Sequence, residues 1–201
     1  MALIEASGGE RLLVDPCADG ALGGAMAYGA VPQADYVVMT HQHADHAGVS
    51  AVPGQPVVVE RGRWGPFEIE RVPGWHDEYE GRRRGGAVDL VVIEVDGWRL
   101  VHLGDVGQSP SAAQVAALGR ADVLCVPVGG FYTIGAAQAW EWCARLGARW
   151  VVPNHYKTAR CGLGLRGVEV FEAWGQARGV VEGLELGVGP SEGVWVVQSW
   201  R

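Results

Sequence analysis

Lysine is nearly missing from this chain: of its sixteen Lys and Arg residues, Lys157 alone is a lysine. Base composition of a genome can produce that bias, so no function is drawn from it. Positive charge is scarce as well, with a formal balance of −7. Without clustered Lys and Arg a surface has no general means of neutralising phosphates, which argues against nucleic acid as a partner, a local basic cleft aside. No apolar run approaches the roughly 20 residues that cross a bilayer. The opening Met1-Ala2-Leu3-Ile4-Glu5 lacks the basic and apolar regions of a signal peptide. The expected compartment is therefore the cytoplasm, with no membrane partner. Closely spaced cysteine pairs are also missing. Cys17, Cys125, Cys143 and Cys161 are scattered, which excludes a zinc knuckle and a thioredoxin-like motif and leaves free thiols, Cys125 serving core packing.

What is present suits one packed domain over residues 1–201, since 48% of the residues are apolar and 19% charged. Runs rich in Val, Ile, Leu and aromatics, each closed by Gly, Pro or Asp, predict strands at Arg11–Val14, Tyr36–Met39, Pro56–Glu60, Phe67–Val72, Val88–Val95, Trp98–Leu103, Asp122–Pro127, Trp150–Pro153 and Val194–Trp200. Asp96-Gly97 marks a two-residue hairpin turn. Helices are predicted at Ser111–Leu118, at Gly135–Leu146 with Ala136, Ala139, Trp140, Cys143 and Leu146 on one face, and at Glu169–Ala177. Gly20 to Gly29 reads as a loop. Strands outnumber helices and several are adjacent hairpins, so the fold class is α/β of the α+β kind, with mixed sheets covered by helices.

The chemistry is concentrated in Thr40-His41-Gln42-His43-Ala44-Asp45-His46-Ala47-Gly48, directly after a β-like run. In extended backbone, residues two apart share a side, so His41 and His43 can converge on one cation. Asp45 and His46 fall where the chain turns into a short helix and can face a second. Imidazole and carboxylate are ligands that a borderline-soft divalent ion such as zinc accepts. A merely histidine-rich polar loop would not explain the rest of the pattern. His76 follows the Phe67–Val72 run, Asp105 follows Trp98–Leu103, and His155 follows Trp150–Pro153. Four strands thus deliver ligand-type residues past their carboxyl ends, which is how a scaffold gathers a site along one rim. The count suits two metals: three histidines for one, Asp45 with two histidines for the other, and Asp105 as a bridge. His102 is expected beneath the site, hydrogen-bonded and orienting Asp105.

These residues resemble the signature of the metallo-β-lactamase superfamily. The resemblance extends to its branch of metal-dependent hydrolases related to the ascorbate-6-phosphate lactonases. It is carried by His41, His43, Asp45 and His46, by His76-Asp77-Glu78-Tyr79-Glu80-Gly81 with Arg84-Gly85, and by His102-Leu103-Gly104-Asp105, Pro127-Val128-Gly129-Gly130 and Pro153-Asn154-His155-Tyr156. It covers roughly residues 3 to 160 and implies an αββα four-layer sandwich with metals at one edge between the sheets. It also implies that His41, His43 and His76 hold one metal, that Asp45, His46 and His155 hold the other, and that Asp105 bridges them. Many relatives carry an additional strand and a Gly-His-type turn ahead of the position of Leu3-Ile4-Glu5, so one edge of the pocket is expected to be open or differently filled.

Two divalent ions, zinc ahead of manganese or iron for this histidine-rich set, would activate a water nucleophile without any serine or cysteine. The catalytic candidates are Asp45, which can also move a proton, and Asp105. Tyr132 and Thr133, after Gly129-Gly130, and Tyr156 and Lys157, after the last ligand, are candidate substrate contacts. The two glycines could let N–H groups approach an oxyanion. Arg82-Arg83-Arg84 could grip an anion or be a solvated loop, and Trp75 could line the pocket. The leading function is hydrolysis of a small molecule, an ester or lactone that can be anionic. The alternatives are a phosphodiesterase or nuclease on the same metals, and a non-catalytic metal-binding or interaction module.

Overall fold

The protein, seen here as a computed structural model, is described over residues 1–25, 29–174, 179–182 and 195–198. Two sheets face each other. The smaller contains β1 (Ala2–Glu5), β2 (Arg11–Val14), β3 (Tyr36–Val38) and β4 (Val57–Val58), in that order. The larger contains β5 (Gly62–Trp64), β6 (Phe67–Trp75), β7 (Ala87–Val95), β8 (Trp98–His102), β9 (Val123–Pro127), β10 (Trp150–Asn154), β11 (Gly179–Glu182) and β12 (Trp195–Gln198). Its spatial order is β11-β12-β10-β9-β8-β7-β6-β5.

The period-two alternation of each strand sets the layers. Leu12 and Val14 of β2 face the large sheet, meeting Phe67, Ile69, Val91 and Ile93. Leu13, between them, faces outward with Val37 onto Val31, Ala34 and Val52. On β7, Leu90 and Val92 point the other way, with Leu124 and Val126, onto Leu118, Trp142, Cys143 and Leu146 of the helices. Among the described residues the layer outside the small sheet is loop and one 3-10 turn, Val49–Ala51, while the helices Ala112–Leu118 and Ala136–Leu146 cover the large sheet.

The helix ends follow local chemistry. Ser111 caps the first: its hydroxyl accepts the Gln114 N–H at 3.1 Å, and Gln114 Oε1 accepts the Ser111 N–H at 3.1 Å. The second ends at Gly147 in the left-handed region. Its most buried aromatic is Trp142, whereas Trp140, placed on the core face from the sequence, stacks on Phe171 of the helix Val168–Trp174 at 4.6 Å.

Three strands escaped the sequence reading: β1, β5 and β11. They are short, and β1 and β5 alternate only between partly buried and exposed positions, so their apolar signal is weak. β6 runs on through Pro73-Gly74 to Trp75, pairing with β7 throughout. Proline is tolerated there because β5 pairs only as far as Ile69, leaving the other side of Pro73 without a ladder. The hairpin turn at Asp96-Gly97 forms as expected, with φ of 51° and 79°. Within Gly20–Gly29 the chain makes a distorted turn at Ala21–Gly24. Residues 26–28, 175–177, 194 and 199–200 of the expected elements lie outside the described residues.

Candidate metal centre

Strand direction gathers the site. β6 is antiparallel to β7, β7 to β8, and β8, β9 and β10 are parallel, so β6, β8 and β10 all end on one rim. His76, Asp105 and His155 follow those ends. β3 of the facing sheet ends nearby and delivers residues 40–48. There the N–H groups of His46 and Ala47 both donate to the His43 carbonyl, at 2.9 and 3.0 Å, closing a tight turn where a short helix was expected.

Ligand atoms of His41, His43 and His76 lie within 4.8 Å of one another, and so do those of His41, His46 and Asp105. Asp105 is central: Oδ1 is 3.2 Å from His46 Nε2, and Oδ2 is 3.5 Å from His76 Nε2 and 3.4 Å from His155 Nε2. Asp45 Oδ2 is 3.6 Å from His46 Nε2. All seven side chains singled out in the sequence therefore meet.

A residue not singled out, Asp15, sits beneath them. It is fully buried and follows β2 as the ligands follow their own strands, in Val14-Asp15-Pro16. That position after an apolar run was its one available signal. Asp15 Oδ1 accepts the Thr40 N–H at 2.6 Å, while Oδ2 accepts the Thr40 hydroxyl at 2.8 Å and faces His46 Nδ1 at 2.9 Å. With its proton given to Asp15, Thr40 Oγ1 can only accept from His41 Nδ1, 2.9 Å away. Both rings thus carry their proton on Nδ1 and present Nε2 to the centre. His102, buried below, accepts the Gly104 N–H on Nδ1 at 3.1 Å and holds the turn that leads into Asp105.

The electrostatics suit a cation. Burial pushes the imidazole of His41 down to about 3 and that of His76 down as well, so both are neutral ligands at pH 7. Burial would raise Asp105, but the rings of His46 and His155 outweigh it and hold the carboxyl well below the ordinary range. For His46, burial lowers the pKa, yet the Asp105 and Asp15 carboxylates raise it to about 10 in the metal-free protein. Nε2 of His76, 3.5 Å from the Asp105 carboxylate, is buried with no hydrogen-bond partner. A divalent cation would take up such a lone pair. Two nitrogens bound tetrahedrally to zinc stand about 3.3 Å apart, and His41 Nε2 and His43 Nδ1 are separated by 3.1 Å. The residues present fit a metal.

Above the centre opens a cleft of about 700 Å³, lined on the polar side by His43, Asp45, His76, Asp105 and His155. Gly85 lies against the rings, where a side chain would collide with His76 and His43. The loop carrying it is organised by Asp77, whose carboxylate accepts the N–H groups of Tyr79, Gly81, Arg83 and Arg84 at 2.6 to 3.0 Å. Burial would raise the Asp77 pKa, and these donors lower it.

Of the expected substrate contacts, Tyr132 lines the cleft. The others are placed differently. The Lys157 ammonium donates to the carbonyls of Cys161 and Leu163 and braces its own loop. Tyr156 packs against the helix-side core, where burial raises its phenol pKa. The Thr133 hydroxyl faces the Ile134 carbonyl at 3.4 Å, and neither Thr133 nor Trp75 lines the cleft. The N–H groups of Gly129 and Gly130 are not open to an oxyanion, since they donate to the carbonyls of His155 and Ile134, each at 3.1 Å. Gly129 is instead needed for close approach: a Cβ there would lie 2.1 Å from the His155 carbonyl oxygen. In the arginine run, Arg82 pairs with Glu80, Arg83 covers the Tyr79 ring at 3.6 Å, and Arg84 alone reaches the cleft. Sequence reasoning missed its apolar wall, Leu22, Phe131 and Leu163.

Comparison with known proteins agrees with this geometry. The family model described as "Beta-lactamase superfamily domain" matches residues 2–155. A UPF0173 metal-dependent hydrolase of Thermococcus onnurineus is 30% identical over 187 residues, with 78% of this chain and 82% of that protein covered. A crystal structure of a candidate Zn-dependent hydrolase of the metallo-beta-lactamase superfamily from Thermotoga maritima superposes with a TM-score of 0.72 and 30% identity, covering 97% of this chain and 92% of that one. A protein from Parabacteroides distasonis shares the fold at a TM-score of 0.58 and 19% identity, over 80% of this chain and 90% of its own. Shared sequence along most of its length, two facing sheets and a rim of histidines and aspartates together make this chain a member of the metallo-β-lactamase superfamily and of its UPF0173 family of metal-dependent hydrolases.

Proposed function

We propose that the protein is a binuclear, zinc-preferring hydrolase that cleaves a small ester or lactone. One observation carries the reading: Asp105 turns Oδ1 to His46 and Oδ2 to His76 and His155, so two cations could share one carboxylate. His41, His43 and His76 would hold one ion; Asp45, His46 and His155 the other. The imidazole-rich set suits zinc, as does the Zn-dependent description of the Thermotoga relative.

When bound, the metals supply Lewis acidity, which provides a water nucleophile at neutral pH and polarises the scissile carbonyl. The chain's residues do the rest. Thr40, Asp15 and His102 hold the rings and the Asp105 turn in place before substrate arrives, which preorganises the ligand set. Asp45, lining the cleft, takes the proton of the attacking water. The water oxygen bonds to the carbonyl carbon, the ester C–O bond breaks, and Asp45 returns the proton to the departing alkoxide, giving an acid and an alcohol.

The lactone part of the reading rests on the motif resemblance to the ascorbate-6-phosphate lactonases. A nuclease is disfavoured because Arg84 is the one cation among the described residues lining the cleft. Four free cysteines support a reducing, cytoplasmic setting, and no helix among the described residues is long and apolar enough to cross a membrane.

The test is metal analysis of never-chelated protein followed by turnover of lactones, p-nitrophenyl esters and bis-p-nitrophenyl phosphate. About two zinc per chain with ester or lactone turnover is expected. Preference for the phosphodiester would replace this reading with the nuclease, and bound metal without turnover of any substrate would indicate a non-catalytic module.

A further inference from the structure

Among the described residues, six non-glycine positions adopt positive φ: Asp15, Leu22, Glu80, Asp96, Phe131 and His155. Aspartate enters this region readily, but a bulky Leu or Phe does so rarely, and such outliers concentrate where function holds them. Leu22 and Phe131 have φ of 54° and 64°, and both line the cleft over the metal centre. Both are also exposed, Leu22 at 44% and Phe131 at 62%, among the large apolar exposures of the described residues. Leu163 completes the wall. It is held there because Lys157 binds the carbonyls around it and because the Gly162 N–H donates to Ala25 at 2.8 Å, tying its loop to the segment carrying Leu22. Leu163 also packs on the Cys17 and Cys161 cluster, whereas Leu22 and Phe131, strained and exposed in the same cleft, belong to no core cluster among the described residues.

Arg84 lines the same cleft beside Phe131. Its two neighbours are engaged, Arg82 by Glu80 and Arg83 by the Tyr79 ring. Arg84 has no carboxylate partner among the described residues. Its guanidinium lies 5.5 Å from the Phe131 ring centroid, over the same face of the cleft. Its backbone is fixed by the bond from its N–H to Asp77 at 2.6 Å, so the cation is presented by an ordered loop.

We infer that the substrate is amphiphilic: a hydrocarbon portion packs on Leu22, Phe131 and Leu163, and an anionic group separate from the scissile ester pairs with Arg84. This assignment rests on the hydrolase reading above and names its substrate class. It predicts that chain length and distal charge are recognised by different residues.

Three p-nitrophenyl esters separate these contributions: the acetate, the hexanoate, and the mono-ester of adipic acid, which has the hexanoate's carbon count with a terminal carboxylate. For the metal-replete protein, kcat/KM is expected to rise at least tenfold from acetate to hexanoate and at least threefold more to the adipate mono-ester. The second gain should shrink as salt is added. Phe131→Ala should collapse the hexanoate-to-acetate ratio to within threefold. Arg84→Gln should abolish the adipate advantage while the hexanoate-to-acetate ratio persists. Calorimetric binding of adipate and hexanoate to the metal-loaded protein reads the same site without turnover. Adipate should bind at least threefold tighter, and Arg84→Gln should remove that difference. Ester turnover with flat ratios and equal binding of the two acids would overturn the assignment and leave the hydrolase reading standing. Adipate preference without turnover of any ester would overturn that reading and support the amphiphilic site.

Discussion

Replacing Gly85 with alanine, with Gly86→Ala as its partner, isolates the contact between the Asp77-anchored loop and the metal-binding rings. Both glycines have left-handed φ, 58° and 77°. An L-residue at either position costs about 1–2 kcal/mol in backbone strain, to which Gly85→Ala adds whatever its contacts cost in the metal-free protein. They differ in what a Cβ meets. At Gly86 no heavy atom lies within 4 Å, whereas at Gly85 the new carbon would lie 2.6 Å from His76 Cδ2 and 2.9 Å from His43 Cε1. A relaxed carbon contact is about 3.5 Å, so the His76 ring must retreat by roughly 0.9 Å or the loop must lift. Metal–ligand distances tolerate only about 0.2 Å. Zinc affinity should therefore fall about 10- to 100-fold in Gly85→Ala, the range seen when groups supporting a ligand are disturbed. Gly86→Ala should stay within about twofold of the parent by the same reasoning. Competition against a chromophoric chelator measures the affinities, and urea unfolding of chelator-treated protein measures what each substitution costs in stability. Equal zinc affinity in the two variants would refute the argument that Gly85 is small because two ligands need its space.

Asp15→Asn should weaken zinc binding about 10- to 100-fold, because the groups that fix the tautomers of His41 and His46 are disturbed; isothermal titration measures it, and unchanged affinity would remove Asp15 from the site. In metal-free protein, His41 and His102, pushed down by burial to about 3 and about 4, bind fewer protons folded than unfolded, so stability gains as pH rises to about 6.5. His46, held up at about 10 by Asp105 and Asp15 against the effect of burial, contributes fully below about 6.5 and loses that contribution as pH climbs to 10. The urea midpoint should thus peak near pH 6.5, and a steady rise from pH 4.5 to 9 would contradict this balance. Asp77→Ala should speed hydrogen exchange at the amides of Tyr79, Gly81, Arg83 and Arg84, which all donate to its carboxylate; unchanged protection would mean that the loop is held by something else. Cys125 and Cys143, whose thiols burial pushes to about 12, should resist a disulfide reagent until the protein is unfolded.

The sequence by itself determined the strands that are buried on both faces and the residues that follow them. Apolar runs such as Val88–Val95 bury side chains in two directions at once, and nothing but a central strand accommodates that pattern. A histidine or aspartate just past such a run lands at a sheet rim by chain geometry alone. Hence His41, His43, His76, Asp105 and His155 could be selected before any coordinates. Short edge strands such as β5 carry too little periodic signal to be read. Asp15 obeyed the same after-strand rule, yet a lone aspartate before proline is ordinary turn chemistry. Only the facing of the two sheets showed that it lies under Thr40 and His46.

Tertiary structure alone decided the cleft. Leu22, Arg84, Phe131 and Leu163 are brought together by four separate loops, whose conformations depend on contacts inside a loop, Lys157 with Leu163 and Asp77 with four backbone amides, and on one between distant segments, Gly162 with Ala25. It also gave Lys157, Tyr156 and the Gly129-Gly130 amides partners within the protein that proximity to His155 along the chain does not reveal. Periodicity reports what a strand buries. Which loops close over its end is settled by side-chain and backbone hydrogen bonds, some within a loop and one between the distant Gly162 and Ala25, and these leave no apolar period to be read.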